Sequence, residues 1–260
     1  MLQFVFGRAA TGKSTLLQNM ISQCVEAGKQ VVMLVPEQFS FETEKSILQL
    51  LGDRRAMSVS VMSFSRLCDE VEHQLGGICA EQLTDASKHI LLSRSLRDCA
   101  EKLVSWKRYA RFQGFVSALL DSIEEFKLNA VTPGDLRLAA EQCDSTALSA
   151  KLNDAATVLE YYNALINERF IDPSDRLTRL YDRLSECDFF KEKTVFIDSF
   201  KGFTGQQYKI LSRILGSADE VTIALTNDCE DFKRFDIFEN IRLTVSRIKN
   251  LAKKNNVKFN

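Results

Sequence analysis

Residues 2–14 read Leu-Gln-Phe-Val-Phe-Gly-Arg-Ala-Ala-Thr-Gly-Lys-Ser, an apolar run followed by a glycine-rich loop. The loop fits the pattern G-x-x-x-x-G-K-[ST] at every fixed position, from Gly7 to Ser14. The two glycines permit a tight turn whose backbone N–H groups point at phosphate oxygens, and the lysine adds a positive charge. Apolar residues then recur at helical spacing over 14–27. The stretch predicts a strand, a phosphate-binding loop and a helix whose N-terminus favours an anion.

The predicted nucleotide site consists of this loop and one distant carboxylate. The residues expected to hold ATP are Gly7, Arg8, Ala9, Ala10, Thr11, Gly12, Lys13, Ser14 and Thr15. Such a site needs a carboxylate at the end of a neighbouring strand for Mg²⁺, and Asp198, after the apolar run 194–197, is the best candidate. We expect Ser14 and Asp198 to hold Mg²⁺. Two alternatives stay open: a loop that keeps its shape without useful ATP affinity, and an Asp198 that only caps the next turn.

Turnover of ATP is less well supported than its binding. Ser199 follows Asp198 where hydrolysing enzymes of this class usually place a glutamate that activates water. Without that glutamate, hydrolysis has no obvious general base. No catalytic residue is therefore assigned.

Strand and helix patterns alternate at both ends of the chain. Short apolar runs predict strands at 2–6, 31–35, 58–62, 194–198 and 221–225. This alternation is typical of a parallel sheet with crossover helices. From about 83 to 186 we find only helical periodicity, with an apolar face that begins at Ile90. We predict an α/β fold whose parallel sheet is interrupted by an all-helical insertion, and residues 257–259 are a candidate for an unfinished strand. The predicted domains are 1–78 plus 190–260 for the α/β domain and 79–189 for the insertion.

Composition excludes several classes of protein. The 260 residues contain only 3 Pro and 11 Gly, which argues against disorder and against most all-β folds. No apolar run approaches the ~20 residues of a membrane span, and no basic-then-apolar leader precedes the first strand. We therefore expect a cytoplasmic protein with no membrane partner. A net charge of -1 excludes a uniformly basic nucleic-acid coat, but it leaves room for a local basic groove.

The cysteines indicate no metal or redox site. They are Cys24, Cys68, Cys79, Cys99, Cys143, Cys187 and Cys229. No two are closer than eleven residues, so the chain has no C-x-x-C pair. We interpret them as reduced thiols of a cytosolic protein.

A further set of motifs follows the glycine-rich loop. They are Val35-Pro36-Glu37-Gln38-Phe39-Ser40-Phe41-Glu42-Thr43-Glu44, Val61-Met62-Ser63-Phe64-Ser65-Arg66-Leu67, Gly76-Gly77, and Ile197-Asp198-Ser199-Phe200 with Phe203-Thr204 and Gln207. In this order and spacing they resemble the N-terminal region of the AddB (RexB) family, over essentially the whole chain. The resemblance implies a RecA-like P-loop NTPase fold of the superfamily-1 helicase type, with a 1A-like domain and a 1B-like insertion.

The family also implies a function and partners. AddB-like proteins are bacterial and pair with an AddA-type motor and nuclease subunit in a heterodimer that processes double-stranded DNA ends. They are implied to hold the 3′-ended single strand, to scan it for the sequence Chi, and to act near the nucleoid. Their nuclease domain carries an iron–sulfur cluster in a C-terminal part that this chain does not include. Only six residues precede the loop, which leaves no room for the upstream glutamine motif of related helicases, so we expect a degenerate motor.

Residues that match the family's strand-holding motifs have side chains suited to DNA. They are Gln38, Ser40, Phe64, Arg66, Phe200 and Phe203. An aromatic ring beside an arginine is what single-strand binding uses, because the ring stacks on bases and the cation neutralises phosphates. The alternative for the aromatic residues is a place in the hydrophobic core.

Two other stretches of the chain are rich in basic residues. Residues 102–112 interleave lysine and arginine with aromatic residues, which is typical of a nucleic-acid or partner surface and equally of a solvated helix end. The C-terminal residues 242–258 are best interpreted as the solvated face of a helix.

Three hypotheses for the function follow. The first is a DNA-binding module of a helicase–nuclease, as the resemblance implies. The second is a free-standing P-loop NTPase or phosphotransferase with a helical substrate-binding insertion. The third is a nucleotide-gated interaction protein.

Overall fold

The computed structural model describes residues 1–77, 81–167, 170–227 and 238–259. The strands in these ranges are β1 Leu2–Gly7, β2 Gln30–Leu34, β3 Val59–Met62, β4 Glu81–Gln82, β5 Phe170–Ile171, β6 Lys193–Ile197 and β7 Glu220–Thr226. The helices are α1 Lys13–Glu26, α2 Ser40–Ala56, α3 Phe64–Leu75, α4 Asp85–Asp98, α5 Gln113–Leu128, α6 Pro133–Glu141, α7 Thr146–Asn167, α8 Arg176–Arg183, α9 Gly205–Ser217 and α10 Glu239–Lys254. No helix within the described ranges combines the length and the apolar character that crossing a membrane requires.

Five strands form one parallel sheet in the order β1-β7-β6-β2-β3. The predicted α/β fold with a parallel central sheet is thus confirmed, strand by strand. Inner strands are apolar on both faces: in β2, Val31 to Leu34 are at most 4% exposed. Such continuous apolar runs mark strands that are covered on both sides, which is why the sequence shows them so clearly.

The outer edge of β1 is partly covered by residues from the far end of the chain. Leu2 forms a parallel bridge with Phe259, and its N–H donates to the carbonyl of Lys258 at 2.8 Å. The candidate strand at 257–259 is therefore present as a single bridge. At the opposite edge of the sheet lies β3.

The chain divides into two compact units, Met1–Gly77 with Arg179–Asn260, and Ile78–Thr178. The predicted domain scheme stays a prediction, and the second break of the compact units falls eleven residues before its boundary at 189/190. The reason is that the residues from Arg179 onward pack within the first unit. The ring of Tyr181 lies under the Arg213 guanidinium at 4.4 Å, and Arg183 donates to the carbonyl of Gly76.

The second unit is mainly helical. Its core comes from α4, α5 and α7 and includes Leu92, Leu96, Leu120, Ile123, Leu159 and Tyr162. The prediction of an all-helical insertion is wrong in one detail, because β4 and β5 pair in parallel and Leu83 N–H extends the pairing to the Ile171 carbonyl at 2.9 Å. Two-residue strands are too short to produce an alternating pattern in the sequence. Ile90, expected on the buried face of α4, is 66% exposed.

Five cysteines lie within the described ranges, and all five are free thiols. They are Cys24, Cys68, Cys99, Cys143 and Cys187. Burial raises the pKa of the Cys99 thiol to about 11, so this side chain stays protonated and unreactive at neutral pH. Cys79 and Cys229 lie outside the described residues.

Candidate nucleotide and nucleic-acid site

The carboxyl ends of the parallel strands bring the predicted site residues to one edge of the sheet. β1 leads into the loop 7–12, β2 into the turn 36–39, β3 into Ser63, and β6 into the segment 198–204. Loops at this edge of an open parallel sheet are where α/β proteins bind ligands. All predicted nucleotide and DNA residues lie on these loops or on the first residues of the helices that follow, within the first compact unit.

The glycine-rich loop, residues 7–14, is tightly wound. A Cβ atom on Gly7 would lie 2.5 Å from the Thr11 hydroxyl oxygen and 3.2 Å from Lys13 Cγ, so only glycine fits there. Gly12 has a φ of 88°, in the left-handed region that favours glycine, and it directly precedes α1 without offering a side chain to cap it. The Thr11 hydroxyl donates to the Arg8 carbonyl at 2.8 Å and braces the turn. The two fixed glycines of the motif are thus explained by close approach and by backbone conformation.

Lys13 is anchored to the loop itself. Its ammonium donates to the carbonyls of Gly7 at 2.8 Å and Arg8 at 2.7 Å. The flexible side chain is therefore folded over the loop from the first turn of α1. This places a cation beside the uncapped N-terminus of a 14-residue helix, and both features attract an anion.

The two residues predicted to hold Mg²⁺ meet although they are 184 positions apart in sequence. The Ser14 hydroxyl, on the first turn of α1, donates to Asp198 Oδ2 at 3.3 Å. Asp198 directly follows β6 and is only 7% exposed, and its N–H continues the sheet by donating to the Leu34 carbonyl at 3.1 Å. A hydroxyl and a carboxylate are the oxygen donors that Mg²⁺ prefers, so the chemistry of this pair fits the ion.

Ser199 has a strained backbone. Its φ is 67°, which is uncommon for a residue with a side chain, and its N–H donates to Asp198 Oδ1 at 2.7 Å. This bond fixes the second oxygen of the Asp198 carboxylate. Ser199 thus positions the Asp198 carboxylate. Its own hydroxyl is a much weaker base than the carboxylate of a glutamate would be.

The turn after β2 presents one predicted DNA residue and hides the other. Gln38 is exposed, whereas Ser40, the first residue of α2, is 7% exposed. The Ser40 hydroxyl has no hydrogen-bond partner among the residues that the structure describes. A DNA strand that lay on this turn would therefore contact Gln38 and not the buried Ser40.

Four aromatic rings form a continuous row beside the carboxylate. Phe64 meets Phe200 edge-on at 5.6 Å between ring centroids, Phe200 lies 4.9 Å from Phe203, and Phe203 meets Tyr208 at 5.7 Å. Phe64 is only 5% exposed, so it supports Phe200 from the core. Phe200 and Phe203 are half-buried and keep part of their rings in solvent. The alternative of a core role thus describes Phe64 and not the other two.

Arg66 lies on the first turn of α3 at the edge of the sheet. Its guanidinium donates to the carboxylate of Glu44 and, at 3.4 Å, to the carbonyl of Val61. The side chain is nevertheless 49% exposed, and the pair with Glu44 at 3.3 Å is exposed on both sides. Water weakens such a pair, so Arg66 keeps positive character that a phosphate could use.

Sequence reasoning missed two supporting contacts at this edge. Glu44 lies within a quoted motif, but its pairing with Arg66 joins two different helices and leaves no spacing signal. Thr204 and Gln207 form a capping box that starts α9 directly after Phe203. The pattern T-x-x-Q before an apolar helix could have revealed it.

Comparison with known proteins identifies what this chain resembles. The family model described as "ADDB, N-terminal" matches residues 4–260. A Clostridium acetobutylicum protein, named as a subunit of an ATP-dependent helicase/deoxyribonuclease, is 33% identical over 259 residues, which are 98% of this chain and 22% of the relative. Proteins of the same name are 34% identical over 263 residues in Clostridium kluyveri (98% and 23%) and 30% identical over 262 residues in Thermoanaerobacter sp. (99% and 23%). The chain thus spans less than a quarter of the length of these curated relatives.

Proposed function

The chain belongs to the AddB N-terminal family, and we propose that it is the ATP- and single-strand-binding part of a helicase–nuclease subunit. The observation that carries the proposal is the meeting of Ser14 and Asp198, at 3.3 Å, beside the glycine-rich loop. Such a pair next to an anion-binding loop is what a Mg²⁺-nucleotide requires. We accordingly assign the fold to the P-loop NTPases, of the RecA-like type found in superfamily-1 helicases.

The residues present fit Mg²⁺-ATP. The N–H groups of the glycine-rich loop and the first turn of α1 would hold the phosphates, with Lys13 as the counter-charge. Ser14 and Asp198 would hold the ion. When bound, the nucleotide supplies a compact polyanion, and the loop and the ion would together neutralise its charge. The residues of the chain would bind and orient it.

Binding without efficient hydrolysis is the expected behaviour. A general base must lie within hydrogen-bond reach of the attacking water, and the position after Asp198 holds Ser199. Its hydroxyl is a far weaker base than a carboxylate at neutral pH. We infer that the nucleotide acts on this part of the subunit as a ligand.

A single DNA strand would lie along the same edge of the sheet. Gln38 supplies hydrogen bonds, Arg66 a charge, and the exposed parts of Phe200 and Phe203 a surface on which bases stack. Stacking on aromatic side chains is worth about 1–3 kcal/mol per base and tolerates any sequence. Because Phe64 is buried, its role would be to hold Phe200 in place.

The relatives are named as one subunit of a helicase/deoxyribonuclease, so the whole protein would work in an assembly. We propose an AddA-type motor subunit as the partner and double-stranded DNA ends as the substrate of the complex. Nuclease activity, an iron–sulfur cluster and the recognition of Chi would belong to the complete proteins. Among the described residues, no three His, Cys, Asp or Glu side chains form a metal-binding group.

Replacing Lys13 tests the nucleotide proposal. We expect Lys13→Ala to weaken binding of a fluorescent ATP analogue by more than tenfold, because the loop loses its only lysine. Lys45→Ala, on α2, is the matched control and should bind the analogue like the unchanged chain. Both variants should retain single-stranded DNA binding.

Two outcomes would contradict the proposal. Equal affinity of the Lys13→Ala and Lys45→Ala variants for the analogue would show that the loop does not bind ATP. Rapid ATP turnover without DNA that disappears in Lys13→Ala would favour a free-standing NTPase or phosphotransferase.

A further inference from the structure

A basic groove lies in the second compact unit, within residues 78–178. It has a volume of about 790 Å³ and is bordered by α4, α5 and the segment between them. Its lining includes His89, Arg97 and Arg111, and no carboxylate is among the described residues that line it. The exposed Ile90 lies in the groove as well. Ile90, which we predicted to be buried, is thus part of this exposed surface.

The arginines of the groove differ from other cations on the same elements. Arg94 pairs with Asp98 at 3.5 Å, and Lys107 pairs with Glu101 at 2.6 Å. The guanidinium groups of Arg97 and Arg111 are exposed and form no ion pair or hydrogen bond with the residues that the structure describes. Their charge is therefore free for a ligand, and only an anion complements it.

The start of α5 adds to this positive character. The helix begins at Gln113, which lines the groove, and no side chain caps its N-terminus. Its first turn contains no acidic residue. The positive end of a 16-residue helix therefore begins at the groove, two residues after Arg111.

Aromatic residues beside the groove separate into two kinds. Trp106 packs edge-on against Phe115 at 5.4 Å between ring centroids and belongs to the core of the unit. Phe112 is 62% exposed and Tyr109 is 55% exposed, although both are large and apolar. The basic and aromatic stretch 102–112 is thus neither wholly core nor simply a solvated helix end.

We propose that this groove binds the backbone of a single-stranded nucleic acid. Arg97 and Arg111 neutralise phosphates, and Phe112, next to Arg111 in sequence, stacks on a base. The exposed aromatic rings favour a nucleic acid over an acidic peptide, because base faces stack on aromatic side chains and glutamate side chains do not. The site is separate from the sheet edge with Gln38 and does not depend on the proposed function of that edge.

Salt dependence of binding tests the groove directly. Each phosphate contact on a single strand contributes about 0.7 to the slope of log affinity against log salt, so Arg97→Ala with Arg111→Ala should lower the slope by about 1.4. The probe is a fluorescein-labelled oligothymidylate of about 16 nucleotides, a length within the usual site sizes, titrated with the 260-residue chain. Phe112→Leu should weaken binding roughly fivefold or more and leave the slope unchanged.

The control removes the same charge from the same unit. Arg94 and Arg137 are exposed and paired, with Asp98 and Glu160, so their double replacement by alanine also removes two positive charges. We expect the control to keep the slope of the unchanged chain. A slope that falls equally in both double variants would overturn the proposal, since general charge would then explain it.

Two further outcomes separate the groove from the sheet edge. If Arg66→Ala lowers the slope and the groove variants do not, the edge binds the strand and the groove proposal is wrong. If the groove variants lose affinity for poly-glutamate but not for the oligonucleotide, the groove is a peptide site and the proposal is again wrong. Circular dichroism of every variant confirms that the chain is folded.

Discussion

The glycine-rich loop with its neighbouring strand end, and a buried ion cluster in the other compact unit, both contain a lysine and an aspartate that are held by specific partners. At the loop, Lys13 and Asp198 lie at an edge of the sheet and are held by backbone groups and by Ser14. In the cluster, the side chains of Lys127 and Asp172 are 5% and 1% exposed and bind each other at 2.7 Å. The lysine and the aspartate therefore bind separate neutral groups at the loop, whereas in the cluster they bind each other.

The ion cluster is closed by several partners. Lys127 donates to Asp172 at 2.7 Å and to Asp175 at 2.6 Å. Lys88 lies 3.8 Å from the other oxygen of Asp172 and donates to Glu124. These residues come from α4, α5 and the turn that follows β5, so the cluster fastens three parts of the unit.

The comparison shows that the role of a charged residue depends on its burial and on its partners. A buried charge is tolerated when its partners neutralise it, and removing one partner is costly. Asp198 is instead held by hydrogen bonds from the Ser14 hydroxyl and the Ser199 N–H. The proposed binding role therefore concerns the loop, whereas the contacts of the cluster stabilise the second unit.

The largest expected effect comes from opening the cluster. Asp172→Ala would leave Lys127 buried without its most deeply buried partner, and we expect it to lower the free energy of unfolding by about 3–5 kcal/mol. Asp188→Ala removes an exposed pair with Lys191 and should cost at most about 1 kcal/mol. Urea denaturation measures both. Equal losses in the two variants would mean that the cluster does not stabilise the unit.

Acid should also reduce the stabilisation from the same cluster. We expect this loss of unfolding free energy to be smaller than that caused by Asp172→Ala. Burial alone would raise the pKa of Asp172, but Lys127, the Ser174 N–H and Lys88 outweigh it and hold the pKa below its ordinary value of 3.8. Because the pKa is lower in the folded chain, the stabilisation is complete above about pH 4 and is lost as the pH falls below that value. Urea denaturation as a function of pH should show a flatter acid limb for Asp172→Asn, which cannot titrate.

A profile for the Asp172→Asn variant that parallels that of the unchanged chain would show that other carboxylates cause the acid loss. Glu160, whose pKa is lowered by its hydrogen bond to Arg137, is the natural alternative. It is half-exposed, so its contribution is reduced by solvent.

The smallest effect on stability is expected at the loop. Gly12 has a φ of 88°, so alanine there should cost about 1–2 kcal/mol through backbone strain. Gly114, in α5, has open space around it, and alanine at this position should be neutral or stabilise by up to about 1 kcal/mol. Gly12→Ala should also weaken binding of the ATP analogue. A Gly12→Ala variant as stable as Gly114→Ala would show that the loop relaxes without strain.

The sheet could be predicted because its signals are local. The runs 31–35 and 194–198 are apolar throughout, and the loop 7–14 has fixed spacing, so each element appears within a few residues. The meeting of Ser14 with Asp198 could be predicted as well, because strand ends in a parallel sheet share an edge.

The ion cluster could not be predicted in the same way, and of the basic groove only the stretch 102–112 gave a signal in the sequence. Lys88, Lys127 and Asp172 lie dozens of residues apart on elements that no motif connects. A lysine in a helical pattern is normally exposed, so nothing in the sequence indicates that these two are buried. The prediction that Ile90 is buried was wrong for a related reason. An apolar residue at the margin of a helix's apolar face can lie either in the core or in solvent.

The pairing of β1 also governs how the chain can fold during synthesis. The register places Leu2 opposite Val221, while β2 pairs with β3 at Val31 and Val59. The strand that leads into the glycine-rich loop is therefore translated first but stays unpaired until the whole second unit and β7 have left the ribosome. The partial sheet of β2 and β3 is available much earlier. We expect the glycine-rich loop to be among the last parts of this domain to form, and a nascent chain would carry an apolar strand in need of protection until then.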